Sequence, residues 1–165
     1  MCREVWSAVP FVDHERPLMR ARDLVTPFPS VTLDTPVYEA ARLLSAQRLP
    51  GLIVLDAHGL PLSILPGTQV LRLAVPDYCQ EDPALARVVD EEHADRFLRS
   101  LAGRTVREAL PRQARELPIT DPDATVLELA ALMARTHSPL VAVVDGARLV
   151  GAVTLQALMD WAVST

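Results

Sequence analysis

The side chains best suited to chemistry form one short cluster, Asp90-Glu91-Glu92-His93. Asp90 and His93 are three residues apart, so a helix would place both of them within reach of one metal ion. A helical zinc motif, however, needs a second histidine four residues after the first, and none follows His93. The spacing therefore predicts a solvated acidic turn rather than a metal site.

Nucleophilic chemistry has even less support in the sequence. Cys2 and Cys79 belong to no C-x-x-C pair and have no histidine at ligand spacing, which predicts two reduced thiols. Ser7 and Thr105 lack the partner pattern that an activated nucleophile requires. The sequence also contains no phosphate-binding loop, no dinucleotide-binding glycine motif and no nucleophile elbow. We therefore expect a protein that is not an enzyme.

The overall composition narrows the classes of partner. The chain has 165 residues, a formal net charge of -5 and only 4% aromatic residues, so neither a polyanion-binding surface nor a base-stacking platform is expected. No apolar run approaches the ~18 residues of a membrane-spanning helix, and the charged N-terminus does not resemble a signal peptide. We expect a cytoplasmic protein with no nucleic acid partner and no direct membrane insertion.

The strongest pattern in the sequence is an internal repeat. When residues 34–56 are shifted by 89 positions onto residues 123–145, eight of the twenty-three aligned positions are identical without a gap. The first identical pair is Asp34 with Asp123. After one deletion the alignment continues through the next strand and helix, which predicts two copies of one folding unit.

Each copy has the periodicity of a β-α-β-β-α unit. A short extended piece precedes an amphipathic helix, and two continuous apolar runs joined by a tight turn are typical of strands buried on both faces. A second helix closes each copy. The expected strands and closing helix are 30–33, 52–55, 62–65 and 68–74 in copy one, and 116–119, 141–144, 149–153 and 155–162 in copy two.

The first helix of each copy begins with recognisable capping residues. In copy one, Thr35 is expected to be the N-cap and Pro36 the first helical residue. In copy two, Thr125 and Glu128 match a capping box, although Asp123 could cap the helix instead. Both helices should end before a shared proline, because a proline disfavours the helical conformation of the residue before it.

Two segments lie outside the repeats. In the insert, Asp82-Pro83 predicts a helix start and Gly103 a helix stop, so we expect a linker helix that packs on the double unit. The N-terminal extension carries Trp6 and Phe11, which suggest docking either onto the repeats or onto a partner. The predicted segments are an N-terminal extension over 1–21, a first repeat over 22–75, a helical insert over 76–103 and a second repeat over 104–163.

Three motifs resemble those of CBS domains, which occur as tandem pairs called Bateman modules. Asp23-Leu24-Val25-Thr26-Pro27 resembles the family's D-hydrophobic-M-T-P motif. Residues 34–41 resemble its D-T-P-V-x-E-A helix start, and residues 149–154 resemble its L-V-G-hydrophobic-V-T strand. The resemblance implies an α/β (α+β) fold in which two β-α-β-β-α CBS repeats pack with pseudo-twofold symmetry, as small mixed sheets flanked by helices.

The resemblance also implies clefts between the repeats that bind adenosine-containing ligands such as AMP, ATP or S-adenosylmethionine. In the family, a Thr or Ser at the end of the third strand holds phosphate, and an Asp three residues later holds the ribose hydroxyls. Here copy two has Thr154 and Ala157 at these positions, and copy one has Pro66 and Gln69. Gln69 could still bind ribose hydroxyls, because an amide both donates and accepts hydrogen bonds.

Each candidate ligand-binding residue also has a structural interpretation. Residues 66–69 form either a strand-to-helix turn or a ligand contact, and Thr154 is either a helix N-cap or a phosphate contact. The apolar residues at the strand edges belong either to the core or to the walls of a base pocket. The ligand-binding candidates are Thr26, Val31, Pro50, Leu52, Thr68, Gln69, Leu117, Pro139, Val141 and Thr154.

The resemblance therefore implies a regulatory CBS pair that binds an adenosine-type ligand and modulates a separate partner protein, such as a transporter or an enzyme. The alternative is a ligand-free structural adaptor for such a partner, which the missing Thr-x-x-Asp pattern favours. In either case we expect a homodimer, and no cofactor other than a regulatory AMP, ATP or S-adenosylmethionine.

Overall fold

The structure, a computed structural model, describes residues 18–111 and 116–164. The predictions for Cys2, Trp6, Ser7 and Phe11 fall outside these residues. The helices are α1 (Ala21–Leu24), α2 (Val37–Gln47), α3 (Gly67–Ala74), α4 (Asp77–Glu81), α5 (Glu91–Arg99), α6 (Val106–Ala109), α7 (Val126–Thr136) and α8 (Leu155–Val163), with a 3₁₀ helix over Pro83–Val88. The strands are β1 (Ser30–Thr32), β2 (Gly51–Leu55), β3 (Pro61–Pro66), β4 (Ile119–Thr120), β5 (Leu140–Asp145) and β6 (Arg148–Thr154).

The strands form two small mixed sheets of the same design. In each sheet the first strand pairs in parallel with the second, and the second pairs antiparallel with the third, in the order β1-β2-β3 and β4-β5-β6. Both hairpins contain a register irregularity at equivalent positions, after Val54 and after Val143. The predicted β-α-β-β-α order is therefore confirmed in both copies.

Helices α2 and α7 begin at equivalent valines, but only α7 has the predicted cap. The Thr125 hydroxyl oxygen accepts a hydrogen bond from the Glu128 backbone N–H at 3.2 Å. In copy one the prediction is wrong, because Pro36 has a ψ of 135° and occupies the N-cap position itself. The Thr35 hydroxyl oxygen instead accepts a hydrogen bond from the Thr32 N–H at 3.0 Å and closes the turn after β1.

The first strand of copy two lies later in the chain than the predicted 116–119. Strand β4 contains only Ile119 and Thr120, which pair with Ala142 and Val143 of β5. The ladder begins where the Pro118 carbonyl accepts a hydrogen bond from Ala142 N–H at 2.9 Å. The buried partner strand therefore sets the register, and residues before Pro118 precede the sheet.

The insert is not one linker helix from Asp82 to Gly103. The Asp82 carboxylate caps only the 3₁₀ helix, by accepting a hydrogen bond from Ala84 N–H at 2.9 Å. Val89 is extended, and the Asp90 carboxylate accepts from His93 N–H at 2.9 Å where α5 begins. The insert thus forms separate short helices, because a second aspartate starts a new helix. Helix α5 ends at Arg99, before the predicted helix stop at Gly103, which lies in the following turn at a φ of +87°.

The two repeats share one interior. One buried cluster lies in each repeat, and a third, which we call the seam cluster, contains the facing side chains of both sheets. Ile53 and Ile64 of the first sheet pack there against Leu140, Ala142 and Ala152 of the second. The seam between the repeats is therefore an apolar core rather than a hydrated contact.

Two short helices are exchanged between the repeats. Helix α1 packs on the second repeat, where Ala21 is buried and its N–H donates to the Ala124 carbonyl at 2.8 Å. Helix α6 packs on the first repeat in the same way, and the Val106 N–H donates to the Thr35 carbonyl at 2.9 Å. The pseudo-twofold axis relates these two contacts, and each of them connects one repeat to the other.

Candidate functional site

The predicted ligand-binding residues lie at equivalent ends of the two sheets. Within each sheet this is the end where the first two strands begin and the third strand ends. In copy one it brings together Pro50, Leu52, Thr68 and Gln69, whereas Val31 lies further along the sheet, paired with Val54 of β2. In copy two it brings together Leu117, Pro139, Val141 and Thr154, with Thr26 paired to the neighbouring Ala152.

Four of these residues are core side chains. Leu52 and Val141 are completely buried in the clusters of their own repeats, and Val31 and Leu117 are each 5% exposed. Leu117 packs in the seam cluster beside Leu140. These positions are therefore accounted for by packing, and none of the four presents its side chain to solvent.

The remaining candidates reach the surface. Thr26, Pro50 and Thr68 are exposed, whereas Gln69 and Pro139 are half-buried. The Thr26 backbone is nevertheless fixed, because it exchanges hydrogen bonds with Ala152 at 3.1 and 3.0 Å.

Thr154 is the N-cap of α8. Its hydroxyl oxygen accepts a hydrogen bond from Ala157 N–H at 3.2 Å. Because the cap uses only a lone pair, the hydroxyl proton can still be donated outward, for example to a phosphate oxygen. The N-cap interpretation is confirmed, and the phosphate contact stays a prediction that the same geometry permits.

Gln69 lines a polar cavity of about 680 Å³ between α3, α6 and the start of the insert. Arg72 and Arg104 line the same cavity, together with Asp77 and Glu108. The Glu108 carboxylate is already engaged in a capping box, where it accepts from Thr105 N–H at 2.8 Å. The exchanged helix α6 of the second repeat supplies part of this lining, but none of the lining residues belongs to the cluster between the two sheets.

A second cavity, of about 410 Å³, does lie between the two repeats. Pro27, Phe28 and Ser30 contribute one wall, and Ala147 with the first four residues of β6 contributes the opposite wall. Phe28, Leu55 and Leu149 are partly buried against the seam cluster and give this cleft an apolar base. We call it the seam cleft.

The residues of the seam cleft are absent from the sequence-derived candidates. Its lining includes the guanidinium-bearing Arg148 and the hydroxyl-bearing Ser30, whereas no carboxylate lines it among the described residues. The apolar run 149–153 identified β6, but only the packing of the two sheets shows that Arg148 at its start lines a cavity together with residues of the first repeat. No sequence pattern distinguishes Arg148 from the other surface arginines.

The acidic cluster Asp90-Glu91-Glu92-His93 is a helix start. Asp90 and His93 form a hydrogen bond of 2.7 Å between the carboxylate and ring Nδ1. Hydrogen bonds from the backbone and then the ring of His93 lower the pKa of Asp90 below its ordinary value. Within residues 18–111 and 116–164, no group of three or more metal-ligating side chains comes together.

Comparison with known proteins agrees with this architecture. The sequence matches the CBS domain family twice, over residues 21–74 and 106–164. None of the curated proteins matches it. Among solved structures, a CBS domain-containing protein of unknown function from Kribbella flavida is 50% identical, with a TM-score of 0.80 over 88% of this chain and 99% of that one.

More distant structures share the fold. CBSX2 in complex with AMP is 19% identical, with a TM-score of 0.61 over 88% of this chain and 96% of that chain. The CBS domain pair of protein MJ0100, in complex with 5-methylthioadenosine and S-adenosyl-L-methionine, is 22% identical, with a TM-score of 0.58 over the same shares. With both repeats matched and the fold shared, the chain belongs to the CBS domain family and consists of one CBS pair.

Proposed function

We propose that this CBS pair is a regulatory module that binds an adenosine nucleotide in the seam cleft and thereby modulates a separate partner protein. The observation that carries the proposal is the cleft itself, which residues of both repeats line. A ligand held there contacts both halves of the molecule, so its binding energy depends on how the halves are arranged. Related CBS pairs in complex with AMP and with S-adenosyl-L-methionine support the ligand class.

The lining of the seam cleft suits a nucleotide phosphate. Phe28, Leu55 and Leu149 offer apolar surface for a base, and Ser30 and Arg148 offer polar groups at the margin. A guanidinium binds phosphate through two parallel hydrogen bonds. Because the described lining holds a cation and no carboxylate, AMP or ATP fits its charge better than the cationic sulfonium of S-adenosylmethionine.

The proposal is tested by thermal unfolding with AMP, ATP and S-adenosylmethionine. A ligand at 100 times its Kd stabilises the folded state by about 2.7 kcal/mol, and this should appear for AMP or ATP. Arg148→Gln should remove the stabilisation, whereas Arg42→Gln on the exposed face of α2 should leave it unchanged. No response to any of the three compounds would contradict the proposal.

The second candidate function is a ligand-free structural adaptor. The observation that favours it is that Val31, Leu52, Leu117 and Val141 are packed as core, while Pro66 and Ala157 replace ligand-binding residues of the family. An adaptor should co-purify with one stoichiometric transporter or enzyme without added nucleotide, and the complex should survive removal of all nucleotides by dialysis.

A homodimer is part of the proposal in either case. Tyr38 and Leu127 occupy equivalent positions in the first turns of α2 and α7 and are 61% and 80% exposed. A pseudo-symmetric pair of apolar side chains suits isologous contact with a second copy of the chain. Sedimentation velocity should show a dimer that Leu127→Lys dissociates.

The cytoplasmic location stays a prediction. No helix in the described residues has the length and apolar character to cross a membrane.

A further inference from the structure

An apolar groove of about 580 Å³ lies between α7 and α8 of the second repeat. Met133 and Leu158 are buried beneath it, whereas Met159 is 54% exposed along its edge. Trp161 and Ala130 also line it, and His137 is its one titratable residue within the described chain. A surface of this character usually has an occupant.

The equivalent face of the first repeat is covered by the insert. Leu73 and Ala74 of α3 occupy the positions of Trp161 and Ala162 in α8, and they pack with Leu101 of the insert in the first core cluster. Helix α5 lies beside α3. The insert, which precedes α6, therefore covers the α3 side of the first repeat, on which α6 also packs.

The pseudo-twofold axis relates the start of α6, which follows the insert, to the start of α1. Arg20 is the N-cap of α1 and Thr105 is the N-cap of α6, and each begins a capping box. Arg20 forms an isolated β-bridge with Thr125. Thr105 forms the equivalent bridge with Pro36. The segment preceding α1 is thus the counterpart of the insert that precedes α6. Arg20 also brings the chain to the beginning of α7, directly beside the groove residue Val126.

The composition of that segment matches the groove. Residues 5–12, with the sequence V-W-S-A-V-P-F-V, carry no charge, although charged residues flank them on both sides. The described chain starts at Leu18, and six extended residues span about 20 Å, which exceeds the ~16 Å length of an 11-residue helix such as α7. The segment is therefore long enough to reach along the groove.

We propose that residues 5–12 pack into the groove between α7 and α8 of their own chain, as the insert packs on the first repeat. Trp6 and Phe11 supply the aromatic side chains that fill it. This inference is independent of any ligand in the seam cleft. The alternative occupant of the groove is a second copy of the chain. The cleavage test below distinguishes that copy from residues 5–12.

The first test is chymotrypsin cleavage after Trp6 and Phe11 in the full chain, followed by intact-mass spectrometry. Met159→Asp should expose the segment and speed this cleavage about tenfold, because cleavage follows the population of the open segment. Val163→Asp is the matched control, since it places the same charge on an exposed apolar residue of α8 that does not line the groove. The rates should not depend on protein concentration.

The second test reads the groove directly through Trp161. The chain has two tryptophans, so Trp6→Phe leaves Trp161 as the sole indole emitter. In that background Phe11→Asp should shift Trp161 emission to the red and increase acrylamide quenching, with circular dichroism unchanged. Leu18→Asp, at a residue 82% exposed, should do neither.

Two results would overturn the proposal. One is an equal cleavage rate in wild type, Met159→Asp and Val163→Asp, with Trp161 emission unchanged by Phe11→Asp. The other is a Met159→Asp variant that becomes monomeric without faster cleavage, which would place a second copy of the chain in the groove.

Discussion

At the scale of single residues, Asp34 and Asp123, the first identical pair in the repeat alignment, both form ion pairs between the two repeats. Arg107 pairs with Asp34 at 3.0 Å, and Arg22 pairs with Asp123 at the equivalent place on the other repeat. The alignment of Asp34 with Asp123 was visible in the sequence, but each partner lies in the exchanged helix of the other repeat. Both pairs are exposed, so their contribution to stability is small, about 0–1 kcal/mol.

Gly151 explains the glycine of the L-V-G motif. A Cβ at this position would collide with the Thr26 carbonyl, whose oxygen accepts a hydrogen bond from Ala152 N–H. Gly151→Ala should therefore lower the free energy of unfolding by about 1–3 kcal/mol in a urea titration. Gly67→Ala is the control, because its Cβ would meet only a Leu44 methyl at 4.0 Å. Equal stability of Gly151→Ala and wild type would contradict this account of the motif.

The first hairpin should depend on pH through Asp56. Hydrogen bonds from the backbone N–H groups of Leu60 and His58, at 2.9 and 2.8 Å, lower the pKa of Asp56 below its ordinary value. The ionised carboxylate therefore stabilises the turn above the unfolded pKa, and this is lost as pH falls through the folded pKa. An NMR titration of the Asp56 carboxyl carbon should give a value below that of a free aspartate; a value at or above it would refute the prediction.

At the scale of elements, the apolar runs located the strands and helices, whereas their ends depended on neighbours. Strand β4 starts at Ile119 because β5 sets its register, which no local pattern reveals. Helices α2 and α7 are followed by equivalent C-cap residues, Arg48 and His137, both at a φ of +51°. Glycine is the usual residue at such a left-handed helix end, so the proline two residues later was the only stop signal for each helix.

Arg48 should be a strained helix end that glycine relieves. A side chain with a Cβ in the left-handed region costs about 1–2 kcal/mol, and glycine loses part of that gain through the greater freedom of its unfolded chain. Arg48→Gly should therefore raise the free energy of unfolding by roughly 0.5–1 kcal/mol. Arg48→Ala, which keeps the Cβ, should show no gain. Destabilisation by Arg48→Gly in denaturant unfolding would argue against strain at this position.

At the scale of the whole molecule, the repeat and its composition predicted the common fold and the shared apolar interior. The exchange of α1 and α6 was not predicted, because four-residue helices leave little periodic signal and their partners are distant in sequence. A cleft between the repeats was expected, but the residues that line the seam cleft were missed for a related reason. Its two walls come from different repeats, so the positions of Ser30 and Arg148 relative to each other exist only after the sheets have packed.

The central claim is that the joined repeats hold an adenosine nucleotide between them. A crystal structure of the full chain grown with saturating AMP tests it most directly. We predict density for AMP in the seam cleft, with the base against Phe28 or Leu149 and the phosphate within hydrogen-bonding distance of Arg148. An empty seam cleft at saturating AMP, or a nucleotide held by only one repeat, would contradict the claim.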